Sequence, residues 1–262
     1  MSKALLAADT DIITSRGVQT IKDIESNPLI VLTHEGRWRR AEIRREEMTS
    51  LYPIVVRKPF VYSQKIWVTS DYCWMDSQSG EAIRDLPHRN NITLLPSPII
   101  SISFDYNKSN STLNRLWYTA GLLFRLSYNK FYETPPLYYV SDSDNIKSFI
   151  QGFINISMET QHQRSKHLFS DFIDVSNATH TKFILNAFPS YGFYIYKVIE
   201  FDDKTRIFYG CGNHREFPWS IDFTYFGNPL DKKTAKEAVS IVVDEDHSFV
   251  LSSGVVMLDS VS

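Results

Sequence analysis

Residues 239–260 read VSIVVDEDHSFVLSSGVVMLDS and predict two short apolar strands close to the end of the chain. The first strand leads into an acidic turn that is followed by His247 and Phe249, and the second strand follows a Ser-Ser-Gly turn. Apolar, β-branched runs bounded by Gly, Ser and Asp are typical of strands joined by turns. The second strand ends at Asp259 and Ser260, two side chains that can take part in acyl chemistry.

The opening part of the chain has a matching pattern. Residues 6–24, LAADTDIITSRGVQTIKDI, predict a strand, a tight turn at Gly17 and a second strand. Residues 31–43 continue as a hairpin with alternating apolar positions, and residues 66–74, IWVTSDYCW, add another apolar run. The sequence therefore predicts β structure at both ends of the chain.

The order of these segments resembles that of the Hint fold, the module of inteins and Hedgehog autoprocessing domains. The resemblance implies a mainly β Hint fold formed by residues 1–100 and 229–262, with an α+β insert at 101–228. In inteins a final Asn cyclises and is followed by Ser, Thr or Cys. Asp259 and Ser260 stand at those two positions.

The same resemblance assigns the other junction residues. Leu5 falls at the first position of the family, with Ala4 as the near alternative, and Thr69 and Tyr72 stand at its Thr-x-x-His motif. His247 matches a histidine of the closing strand, although a buried structural histidine fits that position equally. The catalytic residues predicted in this way are Asp259, Ser260, Thr69, His247 and Tyr72.

Several replacements predict that the splicing chemistry is degenerate. Leu5 has neither a thiol nor a hydroxyl for the first acyl shift, and the phenol of Tyr72 cannot protonate an amide as an imidazolium can. Leu258 replaces the penultimate histidine, and the carboxylate of Asp259 is a poorer route to a cyclic intermediate than an amide. Autocatalytic cleavage at Asp259–Ser260, direct attack of Ser260 on the upstream linkage, an inert scaffold and an active intein with substituted splice junctions all stay open.

A further alternative uses an internal nucleophile. A minority class of inteins carries a Cys at the place of Ser240 and a Trp at the place of Trp74. Serine is a weaker nucleophile than cysteine, and the threonine that accompanies this arrangement is Met257 here.

The middle of the chain predicts two apolar helices, each with a glycine near its centre, at residues 117–126 and 146–156. They resemble eroded forms of the helices of LAGLIDADG homing endonucleases. In that family each helix ends in an acidic residue that holds a divalent metal, whereas 126–127 and 156–157 read Leu-Ser and Ile-Ser, so nuclease activity is not expected. The alternative is an ordinary α+β insert whose helices pack through small residues.

The composition predicts a folded cytoplasmic protein without a membrane span. The chain has 262 residues, of which 43% are hydrophobic and 14% aromatic, enough for a buried core. Its net charge of −2 is unlike that of proteins that hold duplex DNA, so DNA binding through the insert is expected to be weak at most. Two cysteines give no disulfide framework, and the sequence predicts neither a metal site nor a cofactor.

The predicted partners are the polypeptide segments that flank the junctions. A third functional class is a recognition module that binds a protein or single-stranded nucleic acid by stacking. It would use aromatic residues of the insert, namely Tyr128, Phe131, Tyr132, Tyr138 and Tyr139.

Overall fold

A computed structural model describes residues 4–25, 29–58, 62–83, 91–98, 112–126, 148–154, 171–211, 219–222 and 233–260. The strands are β1 (Leu6–Ala7), β2 (Asp11–Thr14), β3 (Gly17–Thr20), β4 (Leu29–Leu32), β5 (Trp38–Lys58), β6 (Tyr62–Val68), β7 (Trp74–Met75), β8 (Ala82–Ile83), β9 (Asn91–Thr93), β10 (Asp171–Val175), β11 (Phe193–Glu200), β12 (Thr205–Cys211), β13 (Ser220–Asp222), β14 (Thr234–Val243), β15 (Ser248–Val250) and β16 (Val256–Leu258). The helices are α1 (Thr112–Leu126), α2 (148–154) and α3 (Ala178–Ala187), with 3-10 turns at Ile21–Asp23 and Pro189–Tyr191. The described part of the chain is mainly β, which confirms that part of the sequence prediction.

In the described residues, strands from the opening and closing parts of the chain, β1 and β14, belong to one nine-stranded sheet. Seven strands follow the order β14-β1-β6-β5-β4-β2-β3, while β13 pairs with β5 and β9. The short strand β1 lies between β14 and β6, so Leu6 is opposite both Val239 and Val68. The opening and closing segments are therefore hydrogen-bonded neighbours.

Strand β5 is 21 residues long and connects most of this sheet. Its first part pairs with β4 and β14, and its second part pairs with β6 and β13. Ala41 and Ile43 are buried while Glu42 and Arg44 between and beyond them are exposed. Side chains alternate between the two faces of a strand, so this pattern directs one face of the first part toward the core.

A separate hairpin of β15 and β16 packs against the main sheet. Its register pairs Ser248 with Leu258 and Val250 with Val256, and a single bridge joins Leu251 to Ile12 of β2. The hairpin contributes Phe249, Leu251, Val255 and Met257 to the main hydrophobic cluster. The segment 239–260 thus forms three strands and not the two that the sequence predicts, because the turn at 244–247 separates β14 from β15.

A second hydrophobic cluster, rich in phenylalanine, lies in the middle segment. Side chains from α1, α2 and α3 meet the three-stranded sheet β10-β12-β11 in this cluster. A Cβ added to Gly121 of α1 would lie 2.0 Å from the carbonyl oxygen of Phe149, and one added to Gly152 of α2 would lie 2.0 Å from that of Tyr118. Both interpretations of the insert include such a crossing, so its relation to LAGLIDADG endonucleases stays a prediction.

Strand β13 extends the main sheet into residues that the sequence places in the insert. Ser220–Asp222 falls within 101–228, yet Ser220 pairs with Arg57 of β5 and with Thr93 of β9. The predicted domain boundaries otherwise stay a prediction.

Several sequence features lie outside the described residues. They include the aromatic side chains Tyr128, Phe131, Tyr132, Tyr138 and Tyr139, and the residues at 127 and 156–157 that follow or end the two insert helices. Of the helices that the structure describes, none is long and apolar enough to cross a membrane. The described ranges also contain no group of three or more His, Cys, Asp or Glu side chains placed to hold a metal ion.

Candidate functional site at the paired chain ends

The peptide bond between Ala4 and Leu5 is held by Thr69. The amide N–H of Leu5 donates to the Thr69 hydroxyl at 3.1 Å, and the amide N–H of Thr69 donates to the Leu5 carbonyl at 3.0 Å. This follows from the strand register, because Val68 of β6 is opposite Leu6 of β1 and Thr69 is the next residue. Thr69 therefore contacts the nitrogen of the upstream junction that the sequence predicted.

Ser260 contacts the carbonyl of the same peptide bond. Its hydroxyl donates to the Ala4 carbonyl oxygen at 3.0 Å, although the two residues are 256 positions apart in sequence. The amide N–H of Ile241 donates to the Ser260 hydroxyl at 3.0 Å, and the Ser260 N–H donates to the Ile241 carbonyl at 2.8 Å. Because a C=O bond is about 1.2 Å long, the Ala4 carbonyl carbon lies within about 4.2 Å of the Ser260 oxygen.

Asp259 is buried beside Ser260, and its carboxylate is hydrogen-bonded. One carboxylate oxygen accepts from the Val243 N–H at 3.0 Å and lies 3.1 Å from Nδ1 of His247. The His247 carbonyl in turn accepts from the Asp259 N–H at 3.0 Å. The His247 side chain is 56% exposed, so the alternative of a buried structural histidine is wrong.

The turn before β15 has an unusual backbone that brings His247 to Asp259. Glu245 and His247 have φ angles of 63° and 46°, in the left-handed region that residues other than glycine rarely adopt. The carboxylate of Asp246 between them accepts hydrogen bonds from the Thr33 hydroxyl and the Arg37 guanidinium. These contacts fix the strained turn on the hairpin that joins β4 to β5.

The charge state of Asp246 reflects these contacts. Burial opposes ionisation of the carboxyl, but the hydrogen bonds from Thr33 and Arg37 and the charges of Arg37 and Arg39 outweigh it and hold the pKa of Asp246 below its usual range. Arg39 also pairs with Glu245 at 2.7 Å. Both central residues of the turn thus form salt bridges with arginines of the opening part of the chain.

Tyr72 contacts the downstream junction and not the upstream amide. Its hydroxyl donates to the Leu258 carbonyl at 2.5 Å, one residue before Asp259. Burial, together with the nearby charge of Asp259 and the Cys73 thiol, raises the pKa of Tyr72 far above its ordinary value. Tyr72 therefore acts as a neutral hydrogen-bond donor that fixes the end of β16.

Comparison with known proteins finds distant structural likenesses only. A crystal structure of a Ssp DnaB mini-intein variant covers 99% of this chain and 95% of its own, with 9% identity and a TM-score of 0.38. A crystal structure of a mutant of the same variant covers 98% of this chain and 99% of its own, with 9% identity and a TM-score of 0.41. No family model matches the chain, and no curated protein matches it. Likenesses of this size assign neither a family nor an activity.

The five predicted site residues fall into two groups, one at the Ala4–Leu5 bond and one at the Asp259–Ser260 bond. Thr69 and Ser260 contact the Ala4–Leu5 bond, whereas His247 and Tyr72 surround Asp259 and the residue before it. Because Asp259 and Ser260 are neighbours in sequence, the two groups form one continuous site. Their chemical roles stay predictions.

The alternative nucleophile, Ser240, lies beside this site without joining it. Ser240 is buried in β14 next to Ile241, and within the described ranges its hydroxyl makes none of the hydrogen bonds at either junction. The indole of Trp74 is buried, with its ring centroid 5.5 Å from that of Tyr72. The geometry thus favours Ser260 over Ser240 as the group presented to the upstream bond.

Two parts of the site could not be found by sequence reasoning. One is the backbone N–H of Ile241, which binds the Ser260 hydroxyl and carries no side-chain signal. The other is the contact between Asp246 and the hairpin containing Thr33 and Arg37, more than two hundred residues away in sequence. The sequence shows the acidic run at 244–246, but it does not show that Thr33 and Arg37 bind it.

Proposed function

We propose that the chain is an intein-derived Hint autoprocessing domain that holds the Ala4–Leu5 and Asp259–Ser260 bonds in one site and has lost most of its splicing chemistry. The observation that carries this proposal is the 3.0 Å hydrogen bond from the Ser260 hydroxyl to the Ala4 carbonyl oxygen. Ser260 lies two residues beyond β16, and the acceptor of its hydroxyl is the carbonyl of the upstream bond. Acyl transfer between the two junctions does need that approach.

At the upstream bond the residual reaction is an acyl transfer to Ser260. The Ser260 oxygen adds to the Ala4 carbonyl carbon, the bond to the Leu5 nitrogen breaks, and the hydroxyl proton ends on the new Leu5 amine. The product is an ester between Ala4 and Ser260. The Thr69 hydroxyl oxygen, which accepts from the Leu5 N–H at 3.1 Å, holds that leaving group in position.

This transfer is expected to be slow. The Ile241 N–H donates to the Ser260 oxygen and so withdraws electron density from the nucleophile. In the part of the chain that the structure describes, neither an imidazole nor a carboxylate contacts the Ser260 hydroxyl to remove its proton. A serine without an adjacent base is a weak nucleophile, so the ester should form slowly.

At the downstream bond the reactive group is Asp259. A carboxylate oxygen attacks the carbonyl carbon of the same residue, the bond to the Ser260 nitrogen breaks, and that amine takes up a proton from water. Hydrolysis of the resulting cyclic anhydride by a second water regenerates the aspartate. The hydrogen bonds from Val243 and His247 stabilise the ground-state carboxylate, so this cleavage is also slow.

Trapping of the ester tests the proposal. The chain, preceded by a short flanking peptide, is incubated with hydroxylamine at neutral pH, and intact mass is recorded over days. Hydroxylamine attacks the ester carbonyl, so we expect an upstream fragment that ends in an Ala4 hydroxamate, absent from Ser260→Ala. Absence of this fragment from the parent chain, or an equal yield from Ser260→Ala, would refute the proposed reaction.

A further inference from the structure

We infer that the middle segment positions the residues of the junction. Tyr194 of β11 holds in place the β15–β16 hairpin, which leads directly to Asp259 and Ser260. The inference rests on the proposed function, since the hairpin matters only if its end is reactive. It assigns Tyr194 as a positioning residue that acts through the turn at Gly254.

Tyr194 is packed into the junction hairpin and not into the phenylalanine-rich cluster of its own segment. Its side chain is fully buried in a small cluster with Ile13 and Leu32 of the main sheet and with Val250 and Val256 of the hairpin. Its hydroxyl donates to the Pro98 carbonyl at 2.8 Å. A buried phenol with a satisfied hydroxyl has one fixed orientation, which makes it suitable for holding neighbours in place.

The hairpin turn is shaped around this ring. A Cβ added to Gly254 would lie 2.8 Å from Cγ of Tyr194 and 2.7 Å from the Ser97 hydroxyl oxygen, and the φ angle of Gly254 is 85°. The Ser97 hydroxyl donates to the Gly254 carbonyl at 2.6 Å. Glycine is required at this turn for two reasons, because the backbone is left-handed and the ring of Tyr194 occupies the space of a side chain.

Backbone hydrogen bonds hold the same turn from both sides. The Ile195 N–H of β11 donates to the Ser252 carbonyl at 3.3 Å, and the Ser252 N–H donates to the Asp11 carbonyl of β2 at 3.1 Å. The turn therefore lies between a strand of the middle segment and a strand of the main sheet. From it, the β15–β16 ladder runs directly to Leu258, so a displaced turn moves the end of the hairpin.

A second close approach joins the middle segment to the opening hairpin. A Cβ added to Gly17, whose φ angle is 100°, would lie 2.9 Å from the carbonyl oxygen of Asn186. The Ser190 hydroxyl donates to the Thr14 carbonyl at 3.4 Å. The middle segment thus contacts both the β2–β3 hairpin and the β15–β16 hairpin.

The test compares Tyr194→Leu, Tyr194→Phe and Gly254→Ala with the control Ile207→Ala, which removes a fully buried side chain from the other cluster. Hydrogen exchange is followed at the amides of Asp259 and Ser260, which donate to His247 and Ile241. Under conditions in which each variant is folded, we expect Tyr194→Leu and Gly254→Ala to reduce the hydrogen-exchange protection of these two amides by about tenfold or more. Tyr194→Phe should keep most of it, and Ile207→Ala should reduce it far less.

The yield of Ala4 hydroxamate, measured on the same variants, should fall in parallel. Unchanged protection in folded Tyr194→Leu and Gly254→Ala would overturn the inference, as would an equal loss in Ile207→Ala. If Tyr194→Leu does not fold, Gly254→Ala decides the exchange result. A parent chain that yields no hydroxamate refutes the proposed function alone, because hydrogen exchange still reports whether Tyr194 positions the hairpin.

Discussion

Ser260 donates a hydrogen bond from its hydroxyl to the carbonyl oxygen of Ala4 at 3.0 Å. This contact joins the last described residue of the chain to the first, through the pairing of β14 with β1. With Thr69 on the Leu5 nitrogen, both atoms of the upstream amide bond have a hydroxyl partner. The two hydroxyls therefore lie on opposite sides of the Ala4–Leu5 amide bond.

Restoring a nucleophile at the first position should restore upstream cleavage. Leu5→Cys places a thiol next to the Ala4 carbonyl, where it can form a thioester that dithiothreitol releases. We expect release of the upstream flank to rise at least about tenfold over the parent chain. Gel electrophoresis and intact mass measure the released flank. Leu5→Ala is the matched control, and release from that control at the same rate would contradict the expectation.

Restoring an amide at the downstream position should accelerate cleavage between residues 259 and 260. Asp259→Asn supplies an uncharged nitrogen nucleophile, and its amide oxygen can still accept from the Val243 N–H and from an N–H at Nδ1 of His247. We expect a rate increase of at least about tenfold, measured by loss of a C-terminal reporter domain. Asp259→Ala keeps the backbone but removes the nucleophile and should not cleave. Equal rates in the two variants would exclude side-chain attack.

Asp246 should stabilise the fold in a pH-dependent way. Its pKa is lowered in the folded state, so its contribution is complete above the unfolded value of about 3.9 and is lost as the pH falls through the folded value. Asp246→Asn should therefore lower the free energy of unfolding by roughly 1–3 kcal/mol at pH 7. Urea unfolding at pH 7 and near pH 3 measures the difference, which should shrink at the lower pH. A difference independent of pH would show that charge is not its cause.

Lys58 should destabilise the fold at pH 7, whereas Asp246 stabilises it. Its ammonium is buried, donates to the Tyr196 hydroxyl at 2.9 Å and lies 4.6 Å from the centre of that ring. Burial lowers the pKa of Lys58 to about 8. The unfolded chain then binds more protons than the folded one between pH 8 and the unfolded value of about 10.4, so stability should rise with pH in that window.

Lys58→Met is the variant that isolates this effect. It removes the buried charge while keeping a side chain of similar length, so we expect it to raise the free energy of unfolding at pH 7. The gain should not exceed roughly 3 kcal/mol and should shrink as the pH approaches 10. Denaturant unfolding from pH 7 to 10 provides the comparison. A variant that is less stable than the parent at pH 7 would show that the contacts of the Lys58 ammonium outweigh the cost of its burial.

The sequence predicted the parts of the site that depend on local pattern and order. Thr69 and Leu5 could be matched because each directly follows or precedes a short apolar strand, and the strands that carry them pair at Leu6 and Val68. Asp259 and Ser260 were found in the same way, from their place after the closing strand. These residues are fixed by register, which a sequence pattern can reveal.

Contacts made across long sequence separations were not predictable. The hydroxyl of Tyr72 reaches the Leu258 carbonyl, although the motif that contains it suggested the upstream amide. β13 joins the main sheet from within residues placed in the insert, because its pairing depends on β5 and β9 and not on its own pattern. Tyr194 is one aromatic residue among many in its segment, and only the packing against Gly254 distinguishes it.

The most direct test of one shared site uses the double variant Leu5→Cys and Asp259→Asn, expressed between two folded reporter domains. Ligation of the two flanks requires the upstream acyl group to pass to Ser260 before the downstream bond breaks, so it can occur only if both bonds meet in one place. We expect a ligated product whose mass equals that of the two joined flanks. If the folded double variant releases each flank separately and never joins them, the two junctions do not form a common site.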